Sequence, residues 1–291
     1  MKLITNVAAM QAEARDARCS GRHLALVPTM GSLHEGHLQL VRRARQEADH
    51  VTVSIFVNPT QFAPGEDYER YPRDLDGDMD RLSEVGGADV VYAPPPLAMY
   101  EDGSAGLTWV TVDRLTEHLC GPHRDGHFTG VTTIVSKLFN ACRPDVAVFG
   151  LKDAQQFFVL RRMARDLDFG IRLVGVETVR ESDGLAMSSR NRYLSGESRE
   201  QAVALSRAVF AARDAILAGQ HSADDVRALM RVPFGDAPLA EIEYAELVDA
   251  DYLQPVTELR AGQTVVAAVA VHLGGARLID NTITEVPSWV Q

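Results

Sequence analysis

Residues 24–41, LALVPTMGSLHEGHLQLV, decide the fold of this chain. The run at 24–28 is continuously apolar, which is typical of a buried strand, and the end of the stretch begins a helix. Two histidines three positions apart, His34 and His37, lie between them. A helix N-terminus offers unpaired N–H groups and a favourable dipole to an anion, and imidazole can donate hydrogen bonds to phosphoryl oxygens. The junction therefore predicts a site that handles a nucleotide phosphate.

The alternation of strand and helix continues through the first part of the chain. It predicts strands at 24–28, 51–57, 88–92, 145–149 and 171–176, and helices at 35–48, 73–85, 129–142 and 153–167. Continuous β-branched runs that alternate with helices indicate a parallel sheet covered on both faces. The expected fold class is α/β, with a Rossmann-like doubly wound domain over residues 1–180. Its ligands are expected at the carboxyl ends of the strands.

The remainder of the chain, residues 181–291, has a different pattern and predicts a smaller α+β domain. We expect a long Ala-rich helix at 196–219 and a second helix at 222–231, followed by strands at 241–248, 264–272 and 276–280. A further strand is predicted at 107–112, where polar and apolar residues alternate after a loop rich in Pro and Gly.

Composition narrows the class of protein. The chain has 291 residues, a net charge of −11 and 46% hydrophobic residues, which suits a soluble globular protein and disfavours general nucleic-acid binding. Cys19, Cys120 and Cys142 form no C-x-x-C pair, so we expect reduced, buried thiols in a cytoplasmic protein. Neither a signal-peptide core nor an apolar run of about 18 residues occurs, so no membrane span is expected.

Three predicted strand-to-helix junctions share a local pattern, with a capping residue three positions before Glu or Gln. They are Ser32-x-x-Glu35, Asn58-Pro59-Thr60-Gln61 and Asp153-x-x-Gln156. In one interpretation these are capping boxes that satisfy helix N–H groups, with Pro59 at the first helical position. In the other, three helix N-termini converge on one crevice, where glutamine binds a hydroxylated or carboxylated substrate. Local sequence leaves both interpretations open.

The histidine pair has three interpretations: a capping or packing feature, a metal site, or a phosphate site. A conventional zinc site needs a third protein ligand, and no supporting Cys or Glu pattern accompanies His34 and His37. Gly36 favours a nucleotide, because a residue without Cβ lets the first helical turn lie close to a base or a phosphate.

Further basic and polar groups follow other strands. Lys152, in Gly150-Leu151-Lys152-Asp153, can reach a phosphate, although most lysines are simply solvated. Residues 187–192, Met-Ser-Ser-Arg-Asn-Arg, form a dense donor set that either closes over a triphosphate or serves as a polar linker between domains. Arg124 and His127 are either ligand contacts or ordinary loop residues.

Taken together, these segments resemble the pantoate–β-alanine ligase family, within the HIGH-type nucleotidyltransferase superfamily that is related to class I aminoacyl-tRNA synthetases. The resemblance covers almost the whole chain. It is carried by Pro28-Thr29-Met30-Gly31-x-Leu33-His34-x-Gly36-His37, Phe56-Val57-Asn58-Pro59-x-Gln61-Phe62, Tyr71-Pro72-Arg73, Gly126-His127-Phe128-x-Gly130-Val131, Lys152-Asp153-x-Gln155-Gln156 and Arg180-x-x-Asp183-Gly184-Leu185-Ala186-Met187-Ser188-Ser189-Arg190-Asn191.

The resemblance implies an ATP-dependent ligase of pantothenate biosynthesis. Pantoate would be adenylated with release of pyrophosphate, and β-alanine would then displace AMP. The family needs Mg²⁺, held mostly by ATP oxygens, which fits the oxygen-rich coordination usual for this ion. No protein ligand for the metal is carried over. The resemblance also implies a homodimer, and neither a nucleic acid nor a membrane is an expected partner.

The resemblance also implies residue roles. The expected catalytic residues are His37 as proton donor, His34, Lys152 and Arg190. The expected ATP-binding residues are Met30, Gly31, Ser32, Leu33, His34, Glu35, Gly36, His37, Gly150, Leu151, Lys152, Asp153, Val179, Met187, Ser188, Ser189 and Arg190. Gln61 and Gln156 would bind pantoate, and Gln61 would also lie near β-alanine. Arg124, His127 and Tyr71 are weaker candidates.

Three positions depart from the usual family pattern. Leu151 stands where many members have Glu or Gln, Ala154 replaces a common aromatic residue, and Ser32 is often Ala. Two competing hypotheses remain. One is a nucleotidyltransferase acting on a phosphorylated small molecule, as in phosphopantetheine adenylyltransferase. The other is a non-catalytic nucleotide sensor, for which Leu151 and Ala154 are the only indications.

Overall fold

The computed structural model describes residues 1–63, 65–103 and 106–288. The described chain forms two compact units. The first comprises Met1–Val112, Arg124–Leu151 and Val159–Glu177, and the second comprises Asp113–His123, Lys152–Phe158 and the chain from Thr178 onward. The domain boundary that the sequence predicts between residues 180 and 181 stays a prediction.

The first unit is a six-stranded sheet with helices. Its elements are β1 (Lys2–Ile4), α1 (Val7–Cys19), β2 (Leu24–Thr29), α2 (Glu35–Glu47), β3 (His50–Ile55), α3 (Leu75–Val85), β4 (Val90–Tyr92), α4 (Pro96–Met99), α5 (His127–Cys142), β5 (Val146–Gly150), the larger part of α6 (Ala154–Asp166) and β6 (Arg172–Val176). All strand pairs are parallel, in the order β1-β4-β3-β2-β5-β6. The predicted α/β doubly wound fold is confirmed.

Strand order reverses between β2 and β5, because the chain moves outward from β2 through β3 and β4 and then returns to β5 on the other side. Such a switch point is where open α/β sheets bind ligands. The core beside it is built by β2, β3 and β5 together with α2, whose buried residues Leu38, Val41 and Ala44 recur at helical spacing.

The predicted strand at 107–112 is wrong. Val110 N donates to Thr133 Oγ1, and Thr132 Oγ1 donates to Val110 O, so threonine side chains of α5 replace a neighbouring strand. Leu107 is 99% exposed, so the alternation of residue types does not reflect burial. The structure also contains β1 and α1, which the sequence analysis did not predict. β1 is only three residues long and mostly exposed, so it has a weak local signal.

The second unit combines α7 (Gly196–Gln201), α8 (Val203–Leu217) and α9 (Ala223–Arg231) with an antiparallel sheet of β7 (Glu241–Asp249), β8 (Thr264–Leu273) and β9 (Ala276–Glu285). The single helix expected at 196–219 is divided at Ala202. There Leu205 N bonds to the carbonyl three residues back, so the hydrogen-bonding pattern changes locally. Among the residues that the structure describes, no helix is long and apolar enough to cross a membrane.

Candidate active site

Three neighbouring strands of the first unit, β3, β2 and β5, end at the same edge of the sheet. Residues 58–61 follow β3, residues 30–37 follow β2, and Gly150 and Leu151 end or follow β5. Because the strands are parallel, their carboxyl ends lie side by side. The structure therefore brings these three predicted segments together at the switch point.

The histidine pair caps α2. His34 is the N-cap residue, and its Nδ1 accepts the Gly36 N–H at 3.2 Å, while His37 Nδ1 accepts the His34 N–H at 3.3 Å. The two ring centroids lie 4.1 Å apart. A backbone N–H can only donate, so each neutral ring must carry its proton on Nε2. Capping and phosphate binding are thus compatible, because Nδ1 serves the helix and Nε2–H is a donor.

The interpretation of Ser32 and Glu35 as a capping box is wrong, because His34 and His37 form the capping box of α2. Glu35 instead accepts a hydrogen bond from Gln39 at 2.8 Å and forms an ion pair with Arg42, and the Arg42 bond lowers the pKa of Glu35. The structure also explains why position 36 is a glycine. A Cβ there would lie 2.9 Å from Cε1 of His34, so the glycine makes room for the capping ring.

The loop between β2 and α2 wraps around a carboxylate from α3. Asp78 accepts the N–H of Ser32 at 2.8 Å and of Leu33 at 2.7 Å, and Gly31 and Ser32 have φ of 81° and 52°. Burial raises the pKa of Asp78, although the two backbone bonds act in the opposite direction. No local sequence pattern signals this contact, since its partners are more than forty residues apart.

Gln61 ends the short 3-10 helix Pro59–Gln61, which begins at the predicted proline. Its Nε2 lies 2.9 Å from Met30 Sδ, so the segments after β3 and β2 are in contact. Asn58 makes no cap bond to this helix, contrary to the sequence interpretation. It is buried and bonds to Gly130 O at 3.1 Å, to Gln61 Oε1 at 3.2 Å and to the Tyr100 hydroxyl at 2.8 Å.

Arg124 and His127 hold the backbone of Gln61. Arg124 Nη1 lies 2.9 Å from His127 Nε2, and a guanidinium only donates, so Nε2 accepts and Nδ1–H donates to Gln61 O at 2.7 Å. Arg124 also donates two 2.7 Å bonds to Glu66. Desolvation raises the pKa of Glu66, but Arg124 outweighs it and the net pKa is lowered. Tyr71 is buried, with its ring edge-on to Phe62.

In the second unit, Lys152 lies in the 3-10 helix Leu151–Asp153, and its carbonyl accepts the Asn281 amide at 2.7 Å. Gln155 is buried. Its amide donates to Leu115 O at 2.9 Å and His118 O at 2.8 Å, and its Oε1 accepts the Cys120 N–H at 2.9 Å. Gln156 is only half-buried. The two adjacent glutamines therefore differ in environment, which the sequence did not reveal.

Residues 179–187 form a hairpin. Met187 N bonds to Val179 O at 2.9 Å, and Arg180 and Ala186 form a β-bridge. Arg180 also pairs with the buried Asp280 through bonds of 2.6 and 2.9 Å. Beyond the hairpin, Ser188 Oγ accepts the Arg190 N–H and caps the short helix Ser189–Tyr193. The predicted phosphate loop thus has a defined backbone.

A model of the pantoate-beta-alanine ligase family matches residues 2–283 of the chain. The chain belongs to the pantoate-beta-alanine ligase family. It is 59% identical to the pantothenate synthetase of Salinibacter ruber, over 99% of each chain. A solved pantothenate synthetase from Thermus thermophilus is 44% identical and superposes with a TM-score of 0.90, over 99% of this chain and 100% of that one.

A third relative has been solved with ligands. It is a pantoate-beta-alanine ligase from Francisella tularensis, complexed with beta-gamma ATP and beta-alanine, which is 28% identical and covers 97% of both chains with a TM-score of 0.77. Membership in the pantoate-beta-alanine ligase family makes this chain an enzyme that forms an amide bond, as the sequence predicted.

Leu151 and Ala154, two of the three positions that depart from the family pattern, are each accounted for by packing or burial. A Cβ at Gly175 of β6 would lie 2.6 Å from Leu151 Cδ2, so the Leu151 side chain covers that glycine. Ala154 is 3% exposed at the start of α6. In this member of the pantoate-beta-alanine ligase family, both residues are therefore accommodated by the fold.

Protein ligands for a metal are sparse in the described residues, where no three His, Cys, Asp or Glu side chains are grouped to hold an ion. The Asp78 carboxylate accepts two backbone N–H groups. Among the cysteines, Cys120 and Cys142 are buried as expected, whereas Cys19 is exposed, contrary to the expectation.

Proposed function

We propose that this chain condenses pantoate with β-alanine to form pantothenate, with ATP converted to AMP and pyrophosphate. The observation that carries the proposal is the histidine pair at the start of α2, at the switch point of the sheet. Both Nδ1 atoms accept backbone N–H groups, so two Nε2–H donors belong to one helix N-terminus, and Gln61 contacts Met30 in the loop that precedes this helix.

In the first step, a pantoate carboxylate oxygen attacks the α-phosphorus of ATP, and the bond to the β-phosphate bridging oxygen breaks. Positioning and neutralisation of phosphate charge lower this barrier. We assign hydrogen bonds to the phosphates to His34 and His37, with His37 Nε2–H as the hydrogen-bond donor to the leaving pyrophosphate. Lys152 and Arg190 supply positive charge. Mg²⁺ carried by the ATP oxygens would supply further neutralisation of this charge.

The remaining nucleotide contacts are assigned to the predicted segments in each unit. Residues 30–37 line the nucleotide in the first unit, with Gly150 and Leu151 near adenosine. In the second unit, Asp153 and Val179 hold adenosine, and residues 187–190 cover the phosphates. The capped backbone of Ser188–Arg190 supports this assignment, because the Ser188 hydroxyl holds the start of the short helix.

In the second step, the β-alanine amine attacks the acyl carbon of pantoyl adenylate, and AMP leaves with the pair of electrons of the broken C–O bond. We assign pantoate binding to Gln61 and Gln156, and β-alanine to the neighbourhood of Gln61. The clamp of His127 and Arg124 on the Gln61 carbonyl supports a fixed position for that side chain. Tyr71 and Phe62 pack beside the same turn.

Quaternary structure and location complete the proposal. The family resemblance favours a homodimer. Sedimentation of the purified protein should give the mass of a dimer, and a monomer at all concentrations would reject this part. We further propose a cytoplasmic location, consistent with three free cysteines.

The decisive experiment is ATP–pyrophosphate exchange with purified protein and Mg²⁺. Exchange should depend on pantoate and should not need β-alanine, since pyrophosphate is released before the amine reacts. Addition of β-alanine should then yield pantothenate and AMP in equal amounts. Folded protein that shows no pantoate-dependent exchange would contradict the proposal, and a dinucleotide-like product without free AMP would point to a different nucleotidyltransferase.

A further inference from the structure

The backbone between β2 and α2 forms a concave pocket for an anion, and the protein fills it with its own carboxylate. Asp78 Oδ2 accepts the Ser32 N–H and Oδ1 accepts the Leu33 N–H. The preceding N–H, of Gly31, bonds to Thr29 Oγ1 at 3.2 Å. Successive N–H groups with left-handed residues among them form anion-binding concavities of the kind used for phosphates.

The Asp78 carboxylate packs tightly against the loop and is buried there. A Cβ on Gly31 would lie 2.8 Å from Asp78 Oδ2, so the carboxylate packs directly against that glycine. Asp78 is 3% exposed and Leu33 is 3% exposed, so the two hydrogen-bonded groups are largely removed from water. The N–H groups of residues 31–33 are therefore all engaged within the protein, and His34 follows directly.

We propose that Asp78 is a positioning residue for adenylation: by filling the backbone pocket of residues 31–33, it fixes where α2 begins and so where the His34 and His37 rings lie. Phosphate binding then falls to the histidine Nε2–H groups and the helix start, because the loop N–H groups are already used. The inference rests on the proposed function and names a residue outside the histidine and glutamine sets.

Asp78→Asn tests the inference with almost no change in volume. One carboxylate oxygen becomes an NH₂ group that faces a backbone N–H, so one of the two bonds is replaced by repulsion between donors. Displacement of catalytic groups by about 1 Å can cost about 10²-fold in rate, and we expect a loss of that size in kcat for ATP–pyrophosphate exchange. The KM for pantoate should change by less than about threefold.

The rate of the second half-reaction distinguishes a positioning role from a general loss of folding. A misfolded variant would be slow in both half-reactions, whereas a variant with displaced histidines should be slow only in adenylation. With chemically prepared pantoyl adenylate and β-alanine, Asp78→Asn should form pantothenate at a rate within about threefold of the wild-type rate, since no pyrophosphate leaves in that step. Asp80→Asn, an exposed carboxylate on the same helix, is the matched control and should leave both half-reactions unchanged. If Asp78→Asn does not fold, Gly31→Ala displaces the same carboxylate from the opposite side and should give the same selective loss.

Two results would overturn the inference. One is exchange by Asp78→Asn at the wild-type rate, and the other is an equal loss in both half-reactions, which would indicate a purely structural carboxylate. Failure of the wild-type protein to catalyse pantoate-dependent exchange would instead reject the proposed function, so the two failures are distinguishable.

Discussion

Gly130 of α5 lies against Thr60 so closely that a Cβ at position 130 would be 2.3 Å from the Thr60 carbonyl oxygen and 2.8 Å from Gln61 N. Both neighbours are backbone atoms and cannot rotate away. We therefore expect Gly130→Ala to push the turn at residues 59–61 out of place, to lower the free energy of unfolding by about 1–3 kcal/mol and to raise the KM for pantoate. Urea unfolding and steady-state kinetics measure the two effects.

Gly235 provides the matched control, because nothing lies within 4 Å of its Cβ position. Gly235→Ala should change neither stability nor the KM for pantoate. If Gly130→Ala binds pantoate as tightly as the wild type, the close approach of α5 does not set the position of Gln61.

Alanine substitutions of the two adjacent glutamines on α6 should have different effects, one on stability and the other on the KM for pantoate. Gln155→Ala leaves Leu115 O, His118 O and Cys120 N without their partner, and we expect the free energy of unfolding to fall by at least about 2 kcal/mol. Gln156→Ala should leave stability within about 0.5 kcal/mol and raise the KM for pantoate by about tenfold. A large stability loss in Gln156→Ala, with unchanged KM, would contradict its assignment to pantoate.

Asparagine substitutions separate capping from catalysis in the histidine pair. Asn is a favoured N-cap residue, so His34→Asn should keep α2 stable, and the Asn oxygen in His37→Asn lies near the position of Nδ1. Both variants lack the Nε2–H donor. We expect each to unfold within about 1 kcal/mol of the wild type and to lose at least about 10²-fold in exchange rate. Near-normal exchange in either variant would limit that histidine to a capping role.

The buried ring of His50, at the start of β3, should make the stability of the protein depend on pH. The imidazole is buried, and neither nitrogen has a hydrogen-bond partner among the described residues. Burial lowers the pKa of His50, and the opposing charges of Asp89 and Glu13 do not compensate. The unfolded chain therefore binds a proton more readily, so this contribution to stability is complete above the unfolded pKa and is lost as the pH falls through the lower folded pKa.

Replacing the His50 imidazole should remove its contribution to the change of the free energy of unfolding with pH. In urea unfolding between pH 7.5 and 5, His50→Leu should lose less stability than the wild type, whereas His23→Gln, at an exposed position, should follow the wild type. Parallel curves for His50→Leu and the wild type would show that another group controls the acid limb.

The elements that could be predicted from sequence were those with a strong local signal. Residues 24–28 and 145–149 lie in apolar runs long enough to be central strands, and both are confirmed within a residue or two. The strand expected at 107–112 had an alternation of polar and apolar residues, but threonines of α5 bond to the Val110 backbone in place of a neighbouring strand. Periodicity describes side chains, and it does not identify the groups that accept backbone hydrogen bonds.

The residues of the candidate site also divide into those that local sequence identifies and those that only the fold identifies. Composition and ordered motifs, with His34 and Gln61 among them, were enough to identify the family, because those residue types are local properties of the chain. Asp78 and Gln155 gained their roles only through folding. Each bonds to backbone N–H or C=O groups that lie more than thirty residues away in sequence.

By itself, the sequence determined the doubly wound fold, the family and the set of polar side chains, since periodicity and motif spacing are written along the chain. Only the tertiary structure decided which donor and acceptor atoms form hydrogen bonds within the protein. Nδ1 of both histidines is committed to the start of α2, and the N–H groups of residues 31–33 are committed within the protein. Hydrogen-bonding capacity is finite, so these contacts withdraw the committed groups from phosphate binding.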